Sequence, residues 1–168
     1  MALNPARIGH RYPAYRYEVS REKVREYARA TGASEAQVPG ETGDAVALPT
    51  FAASFTIPRG FSWAADPELG AHPALVHGEQ SYVFHRPVRV GDVLVCTPQI
   101  DDIRSLGRNE FLTAVVECVD EVTGEPVVTS KATIIFFSRP AEADATAGAD
   151  PVTGAGPATA VADEEVSS

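Results

Sequence analysis

The sequence predicts an α+β domain in which an antiparallel sheet of about five strands wraps around one central helix, with a disordered C-terminal tail. Three observations lead there. Thirteen glycines and 13 prolines in 168 residues punctuate the chain too often for a helical bundle. From Leu75 to Phe137 apolar and polar residues alternate, the period of half-buried strands. Between Thr50 and Ile57 the spacing is helical and the composition largely apolar, so that helix belongs inside. With 44% hydrophobic and 22% charged residues the chain can build a core, and its length fits one domain.

Tyr15, Tyr17 and Val19 alternate with polar residues and predict a short strand. A helix follows at once. Ser20 is placed to cap it, Glu22 suits the positive end of its dipole, and Val24, Tyr27 and Ala28 form one apolar stripe before Gly32 stops it. Residues 33–49, with Pro39, Gly40, Gly43 and Pro49, read as a loop. Thr50 is expected to cap the buried helix, Phe51 and Phe55 to share a face of it, and Pro58 and Gly60 to limit it to about two turns. Four strands come next. Leu75–Val88 is expected to carry Val76, Tyr82 and Phe84 on one face and His77, Glu79, Ser81 and His85 on the other. Val93–Arg104 follows the Gly91-Asp92 turn. Phe111–Val122 follows a turn at Leu106–Asn109 and aligns Leu112, Ala114, Val116 and Cys118. Val127–Phe137 follows Thr123-Gly124 and aligns Val128, Ala132, Ile134 and Phe136. Connections this short imply an antiparallel meander with one face buried. Its outward face and edges are candidates for pairing with a second copy or a related chain.

Charge is unevenly distributed. Residues 139–168 hold six acids against the single base Arg139, so they carry −5 of the net −9 and residues 1–138 carry the remaining −4. That segment is rich in Ala, Gly, Pro and acids and has no aromatic residue, the composition of a disordered tail. A folded part with a negative balance does not fit a nucleic-acid binder. Arg7, Arg11, Arg16, Arg21, Lys23, Arg25 and Arg29 nevertheless crowd the start of the chain. Interleaved with Glu18, Glu22 and Glu26, they read as a solvated helix face, or as a surface for a small acidic partner such as an acyl carrier protein. No run approaches the roughly 18 apolar residues of a membrane span. The start lacks a basic segment followed by an apolar one, so a cytoplasmic protein is expected. No Cys/His spacing resembles a metal site, and Cys96 and Cys118 read as small buried hydrophobes.

Three phrases in order then carry a resemblance: YEVSREKVREYARATG (17–32), LPTFAAS (48–54) and LVHGEQSYVFHRPVRVGDVL (75–94). Together they resemble the N-terminal domain of MaoC-type dehydratases. The resemblance implies a single hot-dog fold over residues 5–138, with 139–168 as the tail. Within the family the chain is most similar to the non-catalytic, acyl-chain-binding subunits of mycobacterial and actinobacterial (3R)-hydroxyacyl-ACP dehydratases. Catalytic members carry an Asp and a His in a phrase of the type D-x-N-P-x-H after the first helix. That pair adds water to an enoyl thioester, or removes it from the hydroxyacyl form, by general acid–base catalysis. A backbone N–H at a helix N-terminus polarises the thioester carbonyl. The corresponding stretch here, ATGASEAQVPGETGDAVALPT (30–50), offers Glu41 and Asp44 but no histidine. The resemblance therefore implies no catalytic residue, no cofactor and no metal. It implies a subunit that holds the acyl tail of a carrier-protein or CoA thioester and pairs with a catalytic MaoC-type hot-dog chain.

The same resemblance places Thr50 and Phe51 at the start of the thioester-facing helix, and His77, Gly78 and Gln80 on the strand lining the acyl channel. Phe51, Phe55, Phe61 and Trp63 read as core, or as walls of an acyl tunnel. His77 and His85 would lie about 26 Å apart on a straight strand at ~3.3 Å per residue, too far to act together. Glu79 is expected to pair with Arg86 or Arg89 across a neighbouring surface. Two other readings stay open. One is a self-sufficient homodimeric hydratase or thioesterase, against which Thr50–Ile57 offers no carboxylate. The other is a non-enzymatic acyl-thioester-binding module.

Overall fold

A computed structural model describes residues 2–34 and 37–137; the expected tail lies outside the described residues. Five strands form one antiparallel sheet: β1 (Tyr15–Glu18), β2 (Leu75–Phe84), β3 (Val93–Leu106), β4 (Asn109–Asp120) and β5 (Pro126–Phe137). Their spatial order is β1-β3-β4-β5-β2. Helix α1 (Arg21–Ala30) follows β1, and the central helix α2 (Ala53–Gly60) packs against β3 and β4, the expected hot-dog arrangement.

Helix α1 forms for the reasons its sequence gives. The Ser20 hydroxyl accepts from the Lys23 N–H at 3.4 Å, Val24 and Ala28 are fully buried, and Gly32 at φ +73° turns the chain away. Tyr27 sits at its inner edge and donates to the Thr50 carbonyl at 2.8 Å, which ties α1 to the entry of the central helix. That entry differs from expectation. A 3-10 turn, Pro49–Ala52, runs straight into α2 with no side-chain cap, and Thr50 is exposed rather than capping. Pro58 lies inside α2 near its end, where few later carbonyl bonds depend on it, and Gly60 closes the helix. A further 3-10 turn, Phe61–Ala65, carries the chain on.

The meander holds for β3, β4 and β5 but not for β2. Strand β2 runs antiparallel to β5 on the far edge, from Leu75↔Phe136 to Phe84↔Val128. The eight residues between β2 and β3 are therefore a crossover past the ends of β5 and β4, not a hairpin turn. Arg86 fixes this path. Its guanidinium reaches Asp92 at 2.7 Å and Asp120 at 3.0 Å, acids just before β3 and at the end of β4, instead of Glu79.

A second difference is the register of β2. A bulge between His77 and Glu79, at Gly78, inserts one residue opposite β5. Cross-strand partners share a face, so His77 (opposite Ile134), Gln80 (opposite Ala132) and Tyr82 (opposite Ser130) all turn toward the helix side. Glu79 and Ser81 point the other way. The expected common face of His77, Glu79, Ser81 and His85 is thus broken by the bulge.

The core divides into two clusters. One gathers Val24, Phe51, Phe55, Leu94, Val116 and Val128; the other gathers Trp63, Leu69, Ile100, Leu112, Ile134 and Phe136. Gly60 lies against the sheet so closely that a Cβ there would stand 2.8 Å from Val116 Cγ2. Replacing Gly60 by Ala is therefore expected to cost about 1–3 kcal/mol of unfolding free energy by overpacking, read from urea denaturation.

Two carboxylates titrate low in the fold. Burial works to raise Asp66, yet hydrogen bonds from Tyr12 Oη (2.7 Å), the Glu68 N–H (2.9 Å) and Arg7 (2.7 Å) hold it below the usual carboxylate range. Asp120 is held down by the N–H groups of Thr123 and Val122, both at 2.9 Å, with Arg86 adding to them. Their stabilisation is complete above the unfolded carboxylate value of about 4 and is lost as pH falls through the lower folded values. Tm is expected to be flat above about pH 5 and to drop below pH 4. A variant carrying both Asp66→Asn and Asp120→Asn should start less stable at neutral pH and show a shallower acid decline.

Candidate functional site

A narrow slot opens where the two core clusters meet. With its mouth and the open solvent there counted it spans about 200 Å³ between α2 and the sheet, and its enclosed part has room for about one water molecule. The space exists because the facing side chains are small: Gly60 on the helix, Ala114 on β4, and Ser130 and Ala132 on β5. Ile57, Phe61 and Val116 supply larger apolar walls, and Thr56 and Gln80 complete the lining.

Its polar groups are neutral. Thr56 Oγ1 donates back to the Ala52 carbonyl at 2.8 Å and lies 3.5 Å from Tyr82 Oη. Burial pushes the Tyr82 phenol up, so it stays protonated at neutral pH. Gln80 Nε2 donates to Ser130 Oγ at 2.9 Å and to the Lys131 carbonyl at 3.1 Å. Gln80 Oε1 is buried and has no hydrogen-bond partner among the described residues. No carboxylate, imidazole or thiol is among the residues that line the slot.

The sequence-derived residues distribute as follows. Gln80 lines the slot. His77 stands exposed nearby, its ring 5.7 Å from the Phe61 ring and its Nε2 3.0 Å from the Glu79 carbonyl. Gly78 is the bulge itself, where a Cβ would stand 2.9 Å from Ile135 Cδ1. Thr50 contributes its carbonyl to Tyr27. Phe51 and Phe55 are each 1% exposed and belong to the core: Tyr27 meets Phe51 edge-on at 5.4 Å, and Tyr17 stacks on Phe55 at 4.7 Å. Trp63 is 2% exposed and meets Phe136 edge-on at 5.8 Å. Thr56 and Ser130 were not singled out from sequence, whereas Phe61, read there as core or as a tunnel wall, lines the slot. The readable signal was the run of small residues at alternate positions of β5, Ser130 and Ala132, beside Ala114 of β4.

Neither loop carboxylate, Glu41 nor Asp44, is buried. Cys96 and Cys118 face each other across β3 and β4, fully buried. Both are free thiols, and a hydrogen bond with Cys96, and then burial, push the Cys118 thiol up, so no thiolate nucleophile forms at Cys118. Among the described residues no cluster of three His, Cys, Asp or Glu could hold a metal ion. No helix among them is long and apolar enough to cross a membrane.

Comparison with known proteins agrees with this architecture. Residues 6–130 match the family described as FAS1-like, dehydratase domain region. A UPF0336 protein of Saccharopolyspora erythraea is 38% identical over 144 residues, covering 80% of this chain and 92% of its own. A UPF0336 protein of Streptomyces coelicolor is 40% identical over 139 residues, covering 77% and 92%. Among solved structures, the C-terminally truncated HadBC (3R-hydroxyacyl-ACP dehydratase) complex from Mycobacterium tuberculosis has a chain with the same fold. Its TM-score is 0.66 at 24% identity, over 77% of this chain and 96% of that one. A MaoC-like dehydratase gives 0.65 at 29% identity, over 79% of this chain and 43% of that longer one.

Proposed function

The chain belongs to the FAS1-like dehydratase-region family, with UPF0336 proteins among its members' relatives, and from that premise we propose that it is the acyl-chain-binding, non-catalytic subunit of a heterodimeric (3R)-hydroxyacyl-thioester dehydratase. The observation that carries the proposal is the lining of the slot. Dehydration needs a base for the C2 proton and an acid for the departing hydroxyl, each within hydrogen-bond reach of the substrate. The slot offers apolar walls and neutral hydrogen-bonding groups instead. Such a lining suits an alkyl chain and leaves the proton transfers to another polypeptide.

Strand β2 supports docking of that polypeptide. It is an edge strand, and Leu75, Val76, Val83 and Phe84 are all exposed along it. Val83 alone keeps 59% of its surface in contact with solvent. A long apolar edge with unpaired backbone groups is a template for a partner's strand. The partner is a MaoC-type hot-dog chain that carries the Asp/His pair, and its substrate is an acyl-carrier-protein or CoA thioester.

Purified alone, the chain is expected to hydrate crotonyl and longer enoyl thioesters no faster than buffer. Co-expressed with a hot-dog chain containing D-x-N-P-x-H, it should co-purify and support hydration. Full-rate hydration by the single chain would overturn the proposal. Val83→Lys places a charge on the docking edge and should weaken the pair at least about tenfold in sedimentation, without lowering the Tm of the isolated chain.

A further inference from the structure

Strand β2 carries His77 on the helix side of the edge that the proposed pairing would cover. The ring is exposed and meets Phe61 edge-on at 5.7 Å. Its Nε2 lies 3.0 Å from the Glu79 carbonyl, across the bulge at Gly78. A carbonyl only accepts, so Nε2 carries the proton, and in the neutral ring Nδ1 is a bare acceptor. Nδ1 receives no bond from the described residues. The elements packed against the ring offer it no countercharge. On β5, Ile134 stands opposite with Ala132 and Phe136 on the same face; His72 packs edge-on against Phe136 at 5.1 Å, and Lys131 lies on the other face, paired with Asp101 at 3.0 Å. Arg59, at the end of α2, lies over the Tyr15 ring, and Asp66 is taken by Arg7 and Tyr12. On β2 itself Glu79 points to the opposite face, and His85, eight residues on, meets Thr129 Oγ1 at 3.1 Å.

A strand added to this edge sets a side chain directly opposite His77, about 4.5–5.5 Å away between Cβ atoms. The pairing thus takes the ring out of water, between Phe61, Ile134 and the partner. A neutral ring enters at little cost, because its one N–H is already bonded. An imidazolium brings a charge and a second N–H into a surface where nothing of this chain answers either. We infer that His77 is a pH-sensitive gate on the pairing: the catalytic hot-dog chain docks on the neutral ring and is released when the ring is protonated. This rests on the pairing proposed above and adds its regulation. The free chain then binds one more proton than the complex does. Association is therefore full at neutral and alkaline pH and weakens as pH falls through the range in which histidines charge.

Calorimetric titration of the full-length chain with a hot-dog chain containing D-x-N-P-x-H, at a series of pH values, tests the inference. Between about pH 7.5 and about pH 5.5 the Kd is expected to rise roughly tenfold more for the wild type than for His77→Gln. That variant keeps an N–H for the Glu79 carbonyl but takes no charge. Groups on the partner titrate alike in both titrations, so the ratio of the two isolates His77, and His85→Gln should retain the wild-type response. NMR of the wild-type ring adds a readout that needs no variant to fold: His77 should take up its proton at lower pH in the complex than in the free chain. An equal pH response in wild type and His77→Gln, or a ring that titrates alike free and paired, overturns the inference and leaves the pairing standing. If the two chains pair at no pH in this range, the pairing itself fails, and the inference with it.

Discussion

The distance between the central helix and the sheet is set where Gly60 meets Val116, and the rest of the domain depends on that spacing. With no side chain at Gly60, α2 settles deep enough for Phe51 and Phe55 to reach one core cluster while Trp63, just beyond the helix, anchors the other. Burying each of these aromatic side chains contributes roughly 2–3 kcal/mol. An exposed ion pair such as Lys131–Asp101 contributes about 0–1 kcal/mol. Packing against α2 therefore dominates, and the surface charges adjust to it.

Local features of this fold were legible in the sequence. Helix α1 is specified within its own residues, by the Ser20 cap and the Val24–Ala28 stripe, and the β3-β4-β5 meander by short turns at Gly107 and Gly124. The place of β2 was not legible. Alternation says that a strand exists but not which edge it joins, and the contacts that decide it join Arg86 to acids six and 34 residues away. The same holds for the bulge. A glycine inside a strand pattern signals some irregularity, yet only pairing with β5 shows that Gly78 reverses every side chain on one side of it.

The candidate site divides along similar lines. Gln80 was found through the phrase that it sits in, whereas Phe51, Phe55, Phe61 and Trp63 were read as core or as walls because large apolar side chains suit both equally, and of these only Phe61 lines the slot. The structure separates the two by where atoms are missing. Space opens beside Gly60, Ala114, Ser130 and Ala132, residues too small to attract notice one at a time. A cavity is a property of several distant positions together. Sequence patterns report what each position carries, not what a set of them fails to fill.

Charge placement completes the logic of the site. Two groups of half-buried or buried charges are occupied with one another: Asp66 with Arg7 and Tyr12, and Arg86 with Asp92 and Asp120. Each cluster fastens a piece of irregular chain, and none lies among the slot residues. A carboxylate or imidazole inside the slot would need partners of its own to offset desolvation, and the helix face of Thr56, Ile57 and Gly60 supplies none. A neutral slot thus keeps the burial of α2 inexpensive and favours an uncharged guest. On the proposed reading, the acid–base pair that dehydration requires approaches from outside this chain, and β2, apolar and unpaired on its outer side, is the edge at which a second hot-dog chain would bring it.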